Sequence, residues 1–495
     1  MSKDFFRKGL FLLVLIAIEV SSCNEDSVTV PRTSSDVDEF IWAAMNQFYY
    51  WQSNVPELSD DKKSSRTVLD EFLNSYSSPE ELFDDLLFED DRFSSIVDDY
   101  ELLEASFQGV SKSFGYDLRL LRITSDSDDL LAYIKYVVPG GPADVQGLKR
   151  GDLFTEVDGE KLKVDNFVSL LFDSDMYTIT LSEMRDNAIN STLEEVSLVS
   201  VQLTENPILL SEVLEVDGLN VGYLVYNQFI NNNSYHEELN DAFGEFVRSG
   251  ITDLVLDLRY NGGGSLTTSR ILASMLYSNA DSNDVLGSII YNEKLADFNT
   301  DISFLSQIPV FDSQGEQTSS INMNRLSLNR IFILTTGSTA SASEFIIAGL
   351  LPFMDVTIIG TTSVGKNVGS VTLYDSEDFL RSETLNPNHK YAIQPIISQL
   401  ANSEGFTDYI DGFTPNILIE EANFLGELKQ LGDPSEALLS EALSIISGVA
   451  RTERLPDNGM VGIDNDVANN KVSNTILVEG NYIPKNLRRI LFNAQ

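Results

Sequence analysis

The spacing of apolar positions changes twice along the chain. From Asp36 to about Phe107 the spacing is helical: Phe40, Ile41, Ala44, Met45 and Phe48 form one stripe behind the acidic start Asp36-Val37-Asp38-Glu39. Ser78-Pro79-Glu80-Glu81 starts a further helix, with Pro at its first position, Glu in its first turn, and Leu82, Phe83, Leu86 and Leu87 as its apolar face. The run Phe48-Tyr49-Tyr50-Trp51 suits core packing better than a ligand platform. No chemistry is visible in this stretch, which reads as a helical lid or spacer.

From about Glu104 to Leu203 the pattern becomes short strands and turns. Leu131–Val138 reads as a strand, Pro139-Gly140-Gly141-Pro142-Ala143 as a turn opening a short helix, and Gly147–Asp152 as a second turn. Phe154–Val157 is a strand closed by Asp158-Gly159, and Val164–Phe172 a helix. From about Val216 to Ser447 the two kinds of element alternate. Leu219–Asn227, Asp253–Leu258, Arg330–Thr335 and Val356–Gly360 read as strands, and Tyr235–Val247, Leu266–Tyr277 and Glu344–Leu351 as helices. Asp433-Pro434-Ser435-Glu436 opens one more helix, through Ile446. Such alternation predicts an α/β layer with largely parallel pairing. The tail Arg451–Gln495 is polar at first and then carries Ile476-Leu477-Val478 and Ile483-Pro484; its pattern assigns it to no element, and a terminal extension that docks on the body is one reading of it.

The N-terminus has another character. Lys3, Arg7 and Lys8 precede the apolar run Leu10–Ile18, which is too short for a stable membrane span, and Val20-Ser21-Ser22-Cys23 follows. Small residues before a Cys resemble the bacterial lipoprotein cleavage site, which implies a signal peptide over 1–22, lipidation of Cys23 and a polar tether over 23–35. Attachment to the lipid bilayer of a bacterial cell envelope follows, with the outer membrane as the expected location.

Composition removes several functions. The 495 residues hold 76 Asp and Glu against 33 Lys and Arg, a net charge of −43, so a nucleic acid would be repelled. The length suits about three domains. One Cys and two His build neither a disulfide nor a Cys/His zinc site, and neither a metal nor a cofactor is expected.

Two segments carry candidate chemistry. Asp257-Leu258-Arg259-Tyr260-Asn261-Gly262-Gly263-Gly264 follows an apolar strand and precedes a helix. No Lys-Ser/Thr follows for a Walker loop and the spacing is wrong for a dinucleotide site, which leaves an oxyanion hole as the use of its backbone donors. Thr336-Gly337-Ser338-Thr339-Ala340-Ser341-Ala342-Ser343-Glu344 places hydroxyls at a helix start, where the dipole favours a developing anion. A serine nucleophile needs a base. His236 lies on an apolar helix stripe and reads as packing or surface; His389, in Asn386-Pro387-Asn388-His389, reads as exposed; neither has an obvious orienting carboxylate. Lys366 lies in Val364-Gly365-Lys366-Asn367-Val368-Gly369, with no Asp or Glu from Val356 through Tyr374. A desolvated lysine without a carboxylate partner has a lowered pKa, as a base requires.

Residues 137–159, V-V-P-G-G-P-A-D-V-Q-G-L-K-R-G-D-L-F-T-E-V-D-G, resemble a PDZ domain. Taken in order with D-L-R-Y-N-G-G-G, S-T-A-S-A-S-E and V-G-K-N-V-G, they resemble the C-terminal processing peptidases, or tail-specific proteases, over roughly residues 105–445. The resemblance implies a multidomain α+β and α/β chain: an N-terminal helical region (36–104), a PDZ domain (105–203), a crotonase-like α/β catalytic domain (204–450) and an extension (451–495). It implies a serine endopeptidase whose nucleophile is Ser341, at the family's interval before the base Lys366, with Gly262, Gly263 and the N–H of Ala342 as oxyanion hole. It also implies that the loop Phe114-Gly115-Tyr116 receives the terminal carboxylate of unfolded or C-terminally exposed polypeptides. Two positions depart from the family: Ser370 stands where many members have a Gln that orients the lysine, and Pro352 where some have an Asp. Ser370 can still bond the amine, but the loss of Gln supports an alternative, a catalytically weak relative acting as a peptide-binding scaffold.

Overall fold

The computed structural model describes residues 36–185, 188–312 and 315–449, together with the backbone of Val461–Gly462 and Ile476–Leu477. The expected signal peptide, the tether and Cys23 lie outside the described residues, as does most of the extension. Among the described residues no helix is long and apolar enough to cross a membrane.

The body is a six-stranded sheet in the order Ile208–Val216, Leu219–Tyr226, Asp253–Asp257, Arg330–Thr335, Asp355–Gly360, Ile417–Leu418. The first pair is antiparallel and every later pair parallel, as the alternation of strands and helices requires. Side chains alternate between faces at the period of two. Leu224, Leu254, Leu256, Ile331 and Ile333 point into a core shared with the helices Leu266–Leu276 and Ala342–Leu350. Val221, Tyr223, Val255, Phe332 and Leu334 pack on the other face against the helix Ala437–Ser447. Strong apolar strands buried on both faces are why this sheet is visible in the sequence.

A second sheet, ordered Gly264–Ser265, Ile476–Leu477, Val368–Ser370, Ile396–Asn402, Val285–Tyr291, Thr300–Ser303, lies beside it. Four of its six strands are only two to four residues long, and the sequence pattern does not reveal the sheet.

The N-terminal region departs from the expected spacer. Its helices Asp36–Phe48, Arg66–Leu73, Pro79–Asp85 and Tyr100–Phe107 are present, and Ser78 caps the third through a bond from the Glu81 N–H at 3.1 Å. However, Phe40, Trp42, Met45 and Phe48 belong to the same core as Leu254 and Ile333, and Phe48 meets Phe379 edge-on at 5.5 Å. Ser95–Val97 is a strand, paired with Ala392–Gln394. A first helix buried nearly all round is an internal element, not a detached lid.

The PDZ segment folds around its own core, with Leu120, Ile134, Phe154 and Ile179 beneath the helix Phe167–Leu171. Asp158 and Gly159 both take positive φ (52° and 77°), as a tight Asp-Gly turn demands. A long hairpin, Met176–Arg185 with Ala188–Val199, extends its sheet.

Candidate active site

The strand Arg330–Thr335 ends in a turn that delivers Ser341 to the N-cap of the helix Ala342–Leu350. Ser341 is held at φ 66°, ψ −113°, a conformation that costs on the order of 1–3 kcal/mol for a residue with a Cβ. Such a strained strand-to-helix turn projects a nucleophilic hydroxyl. The turn is fastened at both flanks. Thr339 Oγ1 donates to the Leu258 carbonyl at 2.8 Å, the Ala340 N–H to the Asn261 carbonyl at 3.1 Å, and Ser343 Oγ to that same carbonyl at 3.1 Å. The Ser343 hydroxyl is thereby committed, whereas Ser341 Oγ is buried with no hydrogen-bond partner among the described residues.

The glycine loop lies against this serine. A Cβ on Gly263 (φ 110°) would sit 2.7 Å from Ser341 Cβ, so only glycine permits the approach. Asn261 braces the loop: its Nδ2 donates to the Tyr226 carbonyl at 2.7 Å, and its Oδ1 accepts the Gly263 N–H at 2.8 Å. That bond occupies one of the three expected oxyanion donors, leaving Gly262 and Ala342 for the role.

Lys366 is buried, and its pKa is pushed down to about 7, first by burial and in lesser part by the Arg92 charge, against Asp91 and Glu344. The charges that act on it come from other segments, outside the carboxylate-free stretch 356–374. Its ammonium nitrogen lies 4.8 Å from the centre of the Phe93 ring. Arg92 donates to the Gly365 carbonyl at 3.1 Å and clamps the loop that carries the lysine.

Glu344 ties the two halves together. Its carboxylate accepts from the N–H groups of Ser341 (2.8 Å), Gly365 (2.7 Å) and Lys366 (2.8 Å) and from Ser363 Oγ (2.6 Å). Burial raises its pKa against those bonds. The serine turn and the lysine loop are thus indexed to one buried carboxylate. The Ser-x-x-Glu spacing of a capping box was a legible signal for Glu344; Arg92 and Phe93 left none.

Ser370 is buried on the strand Val368–Ser370, its backbone between Ile396 and Leu477. The histidines are accounted for elsewhere. His236 is buried, bonded to Thr268 Oγ1 at 2.9 Å, and its pKa is lowered to about 4 by burial. His389 corrects the expectation of exposure: its side chain is only 13% exposed and Nε2 lies 3.0 Å from Asp375 Oδ2, a carboxylate fourteen residues earlier that the local sequence did not suggest. Neither bonds Ser341. Among the described residues no group of three or more His, Cys, Asp or Glu could hold a metal.

In the PDZ segment a groove of about 550 Å³ is lined by Phe114, Tyr116, Leu118, Leu171, Phe172 and Tyr177. Phe114 packs on Tyr177 with ring centres 4.2 Å apart. Gly115 (φ 80°) abuts the Gly141-Pro142 turn, and its N–H donates to Ser113 Oγ at 3.0 Å, so this donor is already used.

The PDZ and catalytic parts meet at a buried ionic cluster. Arg150 bonds Glu421 and the Tyr260 hydroxyl and lies 3.4 Å from Glu436. Arg259 bonds Asp257 at 2.8 Å, Glu436 at 2.7 Å and Glu421 at 3.0 Å. Burial alone would raise the pKa of Glu421, but the two guanidiniums hold it well below the usual carboxylate range.

A strained serine at a helix start, a glycine loop against it and a desolvated lysine on the neighbouring loop define a serine-hydrolase type of site. The comparisons give the family. The chain matches Peptidase family S41 over residues 220–391, the Peptidase S41 N-terminal domain over 36–95 and a PDZ domain over 133–171. It is a member of peptidase family S41, a family of serine-type proteases, and it carries a PDZ domain. The "Probable CtpA-like serine protease" of Staphylococcus aureus (strain N315) is 24% identical over 239 residues, 47% of this chain and 41% of that protein. The chloroplastic C-terminal processing peptidase of Tetradesmus obliquus is 25% identical over 246 residues, 46% of this chain and 47% of that protein. The chain therefore spans less than half the length of the curated relatives it matches. A crystal structure from Bacteroides fragilis NCTC 9343, assigned to the S41 proteases, is similar with a TM-score of 0.63 at 26% identity, covering 83% of this chain and 97% of that one.

Proposed function

We propose that the chain is a serine endopeptidase of the bacterial cell envelope that cleaves polypeptides with Ser341 and Lys366 and takes their C-termini in the PDZ groove. The carrying observation is Ser341 itself: a strained helix-start serine with an uncommitted hydroxyl, in the same indexed frame as a lysine whose pKa lies near 7. Neutral Lys366 takes the Ser341 proton as Oγ attacks the scissile carbonyl carbon, and the Gly262 and Ala342 N–H groups receive the oxyanion. The ammonium so formed returns the proton to the departing amine, and a water molecule hydrolyses the acyl-enzyme by the same route.

Ser341→Ala and Lys366→Ala should each abolish cleavage of an unstructured protein, whereas His389→Ala should retain it. Full activity in Ser341→Ala would sink the reading. Ser370 in place of Gln favours a second reading, a peptide-binding scaffold of weak activity; a wild-type chain that binds disordered protein without cleaving it would establish that reading instead. The lipid anchor at Cys23 is part of the proposal and rests on the sequence. Wild-type protein should partition into detergent and Cys23→Ala should not.

A further inference from the structure

Two strand edges face each other beside the candidate nucleophile. Gly264–Ser265 continues directly from the glycine loop that abuts Ser341, and Val368–Ser370 continues from the loop of Lys366. Apart from a single bridge between Gly264 and Phe229, Gly264–Ser265 pairs, among the described residues, with Ile476–Leu477. Val368–Ser370 pairs on its other side with Ile396–Asn402 and on this side with Leu477. Ile476–Leu477 therefore fills a one-strand slot, with Ile476 opposite Gly264 and Leu477 opposite both Ser265 and Ser370, parallel to both edges. Two edges that each need a partner, about two strand spacings apart, accept any extended backbone whatever its side chains.

We propose that this slot is the site where the enzyme binds an extended polypeptide by strand addition, and that the chain's own Ile476–Leu477 occupies it as a ligand in cis which an incoming polypeptide displaces. The inference rests on the Ser341–Lys366 reading for the position of the reacting centre. The cis strand is two residues long, whereas the Val368–Ser370 edge offers three positions and a substrate continues beyond them. A longer segment that pairs along the whole edge outcompetes the short one, since main-chain bonds supply affinity in this mode of recognition. The occupant comes from the same molecule, so its effective concentration is high and independent of protein concentration. It excludes weakly bound segments and yields to those that pair at full length.

The test uses the full chain. In Ser341→Ala, which stops turnover, hydrogen exchange at residues 476 and 477 is followed with and without saturating β-casein, a disordered polypeptide. The expected result is exchange at least about tenfold faster at those two positions, with Gly264–Ser265 and Val368–Ser370 still protected by the incoming strand. Unchanged exchange at 476 and 477, or failure of β-casein to bind, would overturn the proposal. In the Ser341-intact chain, Leu477→Pro removes one of the strand's two backbone donors and should lower KM about tenfold, equivalent to about 1.4 kcal/mol of cis affinity, with kcat unchanged. An unchanged or raised KM would count against it. Displacement without cleavage by the wild-type chain would defeat the Ser341–Lys366 reading and leave the slot standing; cleavage without displacement would do the reverse.

Discussion

Replacing Lys366 by Met should stabilise the protein while it removes activity. In the folded chain the amine titrates at about 7, shifted by burial from an ordinary value of 10.5. In the unfolded chain it returns to the ordinary value. Between those two pH values the unfolded state binds more protons, so stability rises with pH across that window and is flat on either side. At pH 7 the imbalance disfavours the folded chain by roughly 4 kcal/mol. Met has a similar length, takes the place against Phe93 and does not titrate. Lys366→Met should therefore recover up to that amount at pH 7, a rise in the Tm of the catalytic part of roughly 10 °C. The gain should shrink as pH climbs and be nearly gone at pH 10.5. Thermal unfolding of both proteins at a series of pH values measures it. A variant no more stable than wild type at pH 7, or a difference that does not fall with pH, would mean that the buried amine keeps its proton in an ion pair. It would then be no base.

The other predictions concern the frame around the site. Arg150→Met should cost about 3–5 kcal/mol, because it strips one of two cations from three buried carboxylates; adding Glu421→Gln should restore part of that loss in the same thermal assay. Gly263→Ala should abolish turnover and destabilise the chain, since its Cβ would collide with Ser341, whereas Gly159→Ala, with open space around it, should cost only the strain of its positive φ, about 1–3 kcal/mol, and leave kcat unchanged. A peptide ending in a free carboxylate should bind the PDZ groove more tightly than its amide by about 1.5–3 kcal/mol, read by fluorescence anisotropy; equal affinity would show that the bond from Gly115 to Ser113 leaves too few donors for carboxylate capture.

What the sequence made legible was set by local period and local chemistry. Ser78-Pro79-Glu80-Glu81 and the buried strands of the six-stranded sheet emerge because a cap and a run of apolar residues are written within a few positions. The second sheet escaped because strands such as Val368–Ser370 are three residues long and owe their conformation to neighbours far along the chain. The same limit governs the site. The Ser/Thr-rich turn, Lys366 and the glycine loop stand out locally, and the family resemblance selects Ser341 among the serines, but Arg92 and Phe93 reach Lys366 across more than 270 positions and carry no motif. The expectation for His389 failed for a related reason. A turn-like Asn-Pro-Asn stretch predicts exposure, and only the fold brings Asp375 and Asn386 together around the ring.

The ionic cluster at the PDZ boundary has a consequence for the glycine loop. Arg259 and Tyr260 belong to the backbone that runs directly into Asn261-Gly262-Gly263, and both are bonded to Glu421, which is also held by Arg150 of the PDZ segment. Two cations face three carboxylates in a region without solvent, so each guanidinium is shared and none is spare. Moving the PDZ segment away withdraws Arg150 and leaves Glu421 and Glu436 to Arg259 alone, which is also committed to Asp257. A buried carboxylate that loses its partner must rehydrate, protonate or draw its remaining cation, and Arg259 can follow only by dragging the main chain beside Asn261 and Gly262. The placement of the PDZ domain and the shape of the glycine loop are therefore set by one group of buried charges.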